Sequence, residues 1–310
     1  MSTNFSQLQD APASQMPAST PATAKSAAAG DRQEPRTPSN GHRTTAFLTD
    51  STLCIGCKAC EVACKEWNNV SDDGLDWSGF SYDNTGAVGH STWRHVKFVE
   101  HQPEPGFGGN AGQLSSWGFS SDVCKHCEVA GCLEACPTGA IVRTEFGGVF
   151  VQPDVCNGCA YCVVACPFGV VQKNKDDGRA FKCTFCYDRQ KAGEIPACAK
   201  ACPTESIKFG EINELKVSAE KRVQELKSRG VNDATLYDPT ETSVKGLHAF
   251  FIVRGDPRQY NLPPKPEAPT KYLRQGWTAS AVGSGLFLAG ALLAFLATPQ
   301  RSIRVRRSGL

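Results

Sequence analysis

Sixteen cysteines gathered in four groups constrain this chain more than any other feature. Cys54, Cys57, Cys60 and Cys64 follow the spacing C-x2-C-x2-C-x3-C, and Cys156, Cys159, Cys162 and Cys166 repeat it. Cys124, Cys127, Cys132 and Cys136 read C-x2-C-x4-C-x3-C, and Cys183, Cys186, Cys198 and Cys202 read C-x2-C-x11-C-x3-C. No cysteine lies outside these groups. An even number permits disulfides, but cysteines separated by two residues on a tight loop suit a shared metal centre better than a framework bridge. A chain of 310 residues is also too large to need such staples.

Iron in a cubane cluster takes soft thiolate ligands, one per iron, so sixteen thiolates match four 4Fe–4S clusters. Structural zinc is the rival, but zinc sites pair distant knuckles and have no use for a third and fourth cysteine so close by. Three groups end in Cys-Pro, at Pro137, Pro167 and Pro203, as a bacterial ferredoxin run does. Lys65 stands where the first group would have its proline. In such runs the fourth cysteine ligates the other cluster of a pair. The second and third groups are separated by only 19 residues with a hairpin signature, so they pair, and the first and fourth pair around them. The expected ligand sets are Cys54, Cys57, Cys60 and Cys202; Cys64, Cys183, Cys186 and Cys198; Cys124, Cys127, Cys132 and Cys166; and Cys136, Cys156, Cys159 and Cys162. The fold class expected is α+β, with two nested ferredoxin-like two-cluster units, loop-rich insertions and a single C-terminal transmembrane helix.

Residues 1–43 are rich in Ala, Ser, Thr and Pro and poor in large apolar groups, which predicts a disordered tail. The tail has neither an apolar core segment nor a twin arginine, so no signal peptide is expected there. Residues 44–123 hold the first group, a strand from Thr44, a loop over Asp76 to Gly89, a strand over Trp93 to Val99 and a Gly/Pro-rich turn over Pro103 to Gly112. Residues 124–175 form the inserted unit, with a hairpin joining Ala140–Arg143 to Val149–Val151. Residues 176–255 complete the outer unit. They carry a strand at Ser206–Gly210, a helix from Glu211 to Arg229 capped by Gly230, and a strand at Leu247–Val253. Residues 256–275 read as a proline-rich linker.

Residues 276–298 are uncharged and mostly apolar, long enough to cross a bilayer. Ala281, Gly285 and Ala289 give a small-residue face on which another helix can pack. The basic end, 299–310, has Arg301, Arg304, Arg306 and Arg307 against Lys271 and Arg274 before the span. The positive-inside rule then puts the C-terminus in the cytoplasm and the cysteine-rich bulk outside.

A net charge of +2 gives no nucleic-acid reading. No dinucleotide fingerprint or P-loop is present, and no catalytic residue is assigned. Clusters in series make a wire for single electrons. His126 lies inside the second cysteine loop, where the residues leave open a donor to a cluster sulfur and a turn-filling role. His95 and His248 read as structural. Lys58, Lys125 and Lys182 each adjoin a ligand cysteine and read as solvated lysines, with a charge beside a cluster as the alternative.

The stretch Cys54-Ile55-Gly56-Cys57-Lys58-Ala59-Cys60, followed by Ala63-Cys64-Lys65-Glu66-Trp67-Asn68, resembles the iron–sulfur beta subunit of membrane-bound formate dehydrogenases. So do Tyr82-Asp83-Asn84, Cys124-Lys125-His126-Cys127, Cys183-Thr184-Phe185-Cys186-Tyr187-Asp188-Arg189 and Pro196-Ala197-Cys198. The resemblance spans about residues 44 to 298. It implies an electron-transfer subunit without catalysis of its own. The implied partners are a molybdenum or tungsten pyranopterin alpha subunit, a cytochrome b gamma subunit that passes electrons to quinone, and the lipid bilayer. The implied location is the bacterial inner membrane, single-pass, with export in company with alpha. The four-cluster core is shared with other molybdoenzymes, so the same wire in another such complex or a hydrogenase is the alternative. A membrane-anchored zinc scaffold and a soluble ferredoxin-like carrier are readings of other classes.

Overall fold

The computed structural model describes residues 44–72, 74, 77, 79, 83–101 and 116–297. The tail at 1–43, Tyr82, the turn at Pro103 to Gly112, Thr298 and the basic end at 299–310 lie outside the described residues, so the arginine count behind the membrane sidedness does too.

In chain order the elements begin with β1 (Thr45–Asp50), α1 (Ala59–Asn68), β2 (Arg94–His101) and β3 (Ser116–Val123). Next come α2 (Gly131–Glu134), β4 (Ile141–Arg143), β5 (Val149–Val151), α3 (Tyr161–Val164), β6 (Gln172–Lys173) and β7 (Ala180–Phe181). They end with α4 (Tyr187–Lys191), α5 (Ala197–Lys200), β8 (Ile207–Glu211), α6 (Ile212–Ser228), β9 (Ala234–Tyr237), β10 (Ala249–Arg254) and α7 (Leu273–Ala297).

A four-stranded sheet in the order β8-β1-β10-β9 ties the start of the chain to its later part. β1 leads into the first cysteine group and β8 follows the fourth; they pair antiparallel, while β1 and β10 run parallel. Strand alternation sorts the residues of this sheet onto two faces. Ala46, Leu48, Phe250 and Ile252 pack against Ala219, Val223 and Leu226 of α6. Phe47, Phe251 and Val253 face the other way, into a core that includes many of the cysteines. The α6 helix starts where the Glu211 carboxylate accepts the Glu214 N–H at 2.9 Å. It ends before Gly230, whose φ of +87° suits a residue without a side chain. Arg222 clamps α6 to the sheet through Asp50, Nε to Oδ2 3.0 Å.

Residues 65–123 hold a two-stranded ribbon rather than a lone strand. β2 pairs with β3 in the register Arg94↔Val123, His95↔Asp122, Val96↔Ser121. β3 alternates, with Trp117, Phe119 and Val123 on one face, but its glycine, three serines and aspartate are poor strand formers, so the run does not stand out in sequence. The hairpin of β4 and β5 forms where the turn residues place it.

The proline-rich segment after β10 is not a free linker. Tyr260, Leu262 and Ala268 are buried within it. Tyr237 Oη donates to the Pro263 carbonyl at 2.6 Å, and the Ala268 N–H donates to Ser243 Oγ at 2.7 Å. Prolines need no N–H partners, so such a segment can lie on a surface at little hydrogen-bonding cost. α7 follows as 25 residues, about 37 Å at 1.5 Å per residue. It is long and apolar enough to cross a membrane and is exposed along its whole length.

Candidate metal-cluster sites

The cysteine loops curl through left-handed backbone. Gly56 and Gly158, just before the middle cysteines, have φ of +69° and +73°. A Cβ there would meet the Phe119 ring at 3.0 Å and the Gly178 carbonyl oxygen at 2.5 Å, so the loops have no room for one. In the second and fourth groups the same place is held by His126 and Phe185, with φ of 44° and 64°. Both are buried and their rings lie 4.4 Å apart, so packing holds the strained backbone.

Short helices then divide the cysteines. Cys60 and Cys64 lie on α1, one turn apart. Cys60 lines a cavity with Cys54, Cys57 and Cys202 (set A). Cys64 instead neighbours Cys183, Cys186 and Cys198 (set B). The same step recurs three times. Cys198 and Cys202, on and just past α5, belong to sets B and A. Cys132 and Cys166 share a cavity with Cys124 and Cys127 (set C), while Cys136 and Cys162 share one with Cys156 and Cys159 (set D). α1 packs on α5 and α2 on α3, which brings each pair of helices between two sets. The sets also follow one another: Cys60 feels the charge of Cys198, Cys183 that of Cys124, and Cys132 that of Cys162.

The thiol chemistry fits clusters. All sixteen cysteines are free of disulfides. Burial, and after it neighbouring cysteines, push the Cys162 thiol up to about 11. Burial dominates at Cys54 and Cys60, also raised to about 11, and at Cys132, raised to about 12. Four such thiolates cannot share one cavity unless cationic metal compensates them. Among the described residues no three His, Cys, Asp or Glu side chains converge at single-ion distance. The thiols of sets A, C and D ring cavities instead, an arrangement for a polynuclear centre. Backbone N–H groups aim at sulfur: Phe185 donates to Cys183 Sγ and Ala180 to Cys156 Sγ, each at 3.4 Å. When bound, 4Fe–4S clusters supply one-electron transfer; the chain's own residues hold, space and charge-balance them.

Two of the three lysines beside cysteines are not solvated. Lys182 is buried, with Nζ 3.5 Å from Cys124 Sγ and hydrogen bonds to the Val149 and Cys183 carbonyls. Lys125 is buried in an ion pair with Asp122. Lys58 is partly exposed and bonds Asp83 at 3.0 Å, so Asp83 is tied to the first cysteine loop. Asp83 also meets His95 Nε2 at 2.9 Å. Burial alone would raise the Asp83 carboxyl, but the charges of His95 and Lys58 hold it below its ordinary value. His248 bridges Glu128 at 2.9 Å and the Thr45 carbonyl at 3.0 Å, a structural role as expected. His126 lines the set C cavity. Burial, then the Lys182 charge, hold its ring well below the ordinary pKa and therefore neutral. Its Nδ1 accepts the Val149 N–H at 3.0 Å, which leaves Nε2 as the protonated nitrogen.

Sequence reasoning misses Arg94 and Ser121. Arg94 lies buried at the start of β2, and its Nη1 donates to Ser121 Oγ at 3.0 Å. Ser121 Oγ in turn lies 3.2 Å from Cys60 Sγ. The signal for Arg94 is the period of two, which puts it on the face of Val96 and Phe98.

Two family models, both described as 4Fe-4S dicluster domain, match residues 53–140 and 115–212. The chain is 38% identical over 258 residues to the formate dehydrogenase-O iron-sulfur subunit of Escherichia coli, covering 81% of this chain and 82% of that one. The chain belongs to the formate dehydrogenase iron–sulfur subunit family. It is 41% identical over 223 residues to the formate dehydrogenase iron-sulfur subunit of Haemophilus influenzae, covering 71% of this chain and 68% of that one. A more distant match is the thiosulfate reductase electron transfer subunit of Salmonella typhi, 37% identical over 211 residues, 66% of this chain and 98% of that one. As a member of the formate dehydrogenase iron–sulfur subunit family, the chain is an electron-transfer subunit of an oxidoreductase, and its sixteen cysteines fit four 4Fe–4S clusters.

Proposed function

We propose that this chain carries electrons from a formate-oxidising molybdenum or tungsten pyranopterin subunit, through four 4Fe–4S clusters, to a membrane cytochrome b and quinone. Sets A, B, C and D are the proposed ligand sets. Residues 124–175 form a two-cluster unit nested within an outer unit made by 44–123 and 176–255. The observation that carries this reading is the cavity that Cys202 shares with Cys54, Cys57 and Cys60, far apart in the chain but joined as the fourth-cysteine exchange requires. The identity to formate dehydrogenase subunits over most of the chain supports formate as the electron source.

The α7 helix is the proposed single membrane span, with the cysteine-rich part on the periplasmic side of the inner membrane. Its exposed apolar surface supports this, and the cytochrome b subunit is its proposed neighbour. The chain is proposed to cross the membrane only with its catalytic partner; a periplasmic product made without that partner would count against this.

The deciding experiment is anaerobic EPR on the purified complex. Cys57→Ser and Cys202→Ser should disturb the same reduced cluster signal, and Cys64→Ser a different one. Formate should reduce the wild-type signals. Loss of different signals in the first two variants would falsify the pairing, and silence toward formate would remove the proposed substrate.

A further inference from the structure

We infer that Arg94 is a shared counter-charge for the two clusters of sets A and B, and that it holds both of their reduction potentials up. This rests on the ligand sets proposed above. The geometry is specific. The Arg94 guanidinium is buried, and among the described residues no carboxylate lies within ion-pair distance of it. Nη1 is spent on Ser121, donating to Oγ at 3.0 Å and to the carbonyl at 3.3 Å. Nε and Nη2 are buried without a hydrogen-bond partner among the described residues. One face of the group rests on the Phe47 ring at 4.8 Å.

A buried guanidinium without a counter-ion is strongly disfavoured. Its charge is permanent, so it cannot escape by giving up its proton. The negative groups around it are cysteines of both sets: Cys198, Cys60, Cys183 and Cys64. A cluster with four thiolates is anionic, and reduction adds one more negative charge to it. The cation therefore stabilises the reduced form more than the oxidised form, and in a medium of low dielectric the effect is large. Set C has a buried cation of its own: Lys182, with no carboxylate partner among the described residues, lies with Nζ 3.5 Å from Cys124 Sγ and also bonds two carbonyls, while Lys125 is paired with Asp122. Arg94 is thus the buried cation of sets A and B, as Lys182 is of set C.

The test is a potentiometric EPR titration of the intact complex, with iron counted, for wild type, Arg94→Gln and Arg94→Lys. In R94Q two of the four midpoint potentials should fall. A tenfold loss in the reduced-to-oxidised ratio at fixed potential corresponds to about 59 mV for one electron. R94K keeps the charge and should stay near wild type. Loss of iron from R94Q with retention in R94K is the same result in stronger form. Unmoved potentials in R94Q, equal shifts in both variants, or equal loss of iron from both would overturn the role of the charge. Wild-type protein lacking a full complement of four clusters would instead overturn the reading of the ligand sets, so the two failures are distinct.

Discussion

Ser121 Oγ lies 3.2 Å from Cys60 Sγ, so the hydroxyl is a hydrogen-bond donor to that sulfur once the thiolate is bound to metal. Hydrogen bonds to cluster sulfur favour the reduced state. Ser121→Ala should therefore lower the potential of the set A cluster alone. A net hydrogen bond of about 1 kcal/mol corresponds to about 40 mV for one electron. A redox titration that shows no shift, or a shift in every cluster, would contradict it.

The Lys125–Asp122 pair is buried on both sides. Removing one partner of such a pair costs about 3–5 kcal/mol, because the other charge is left stranded. Asp122→Asn should destabilise the loaded protein by about that much in a denaturant titration. Replacing both residues with apolar ones of similar size should recover most of the loss. Equal destabilisation in the single and the double variant would show that the pair is not the cause.

Leu262 is buried in the segment expected from sequence to be a proline-rich linker. Leu262→Ala should cost about 2–5 kcal/mol, the range for a buried leucine. It should also open residues 256–270 to protease at sites that resist cleavage in the wild type. A variant with unchanged melting and unchanged cleavage would restore the linker reading.

Deleting the chain from Leu273 onward removes α7, whose side chains touch little of the rest of the protein. The truncated protein should keep its iron and leave the membrane fraction without detergent. Persistence with the membranes would mean that another surface, or the partner subunits, holds it there.

Much of this protein is legible in its cysteines. Spacing and the exchange of the fourth ligand place Cys64 with Cys183, Cys186 and Cys198, and Cys202 with Cys54, Cys57 and Cys60, and these cysteines are neighbours in the fold. Short apolar runs find β1 and β10, and the face of α6 is clear from Ala219, Val223 and Leu226. Those signals are short-range, and short-range signals survive in sequence.

What only the tertiary structure decided is the company each charged group keeps. Lys125 and Lys182 read as solvated lysines, since nothing in a lysine's neighbours along the chain says that its amine is dry. Lys125 is paired with Asp122 of β3, whose glycine and serines obscure its pairing with β2, and Lys182 is buried by contacts between residues far apart in sequence, such as that with Cys124. The proline-rich segment misleads for the same reason. Proline predicts only the lack of a donor, while the fit of Tyr260 and Leu262 against the domain is a matter of shape, which exists only once the chain has folded.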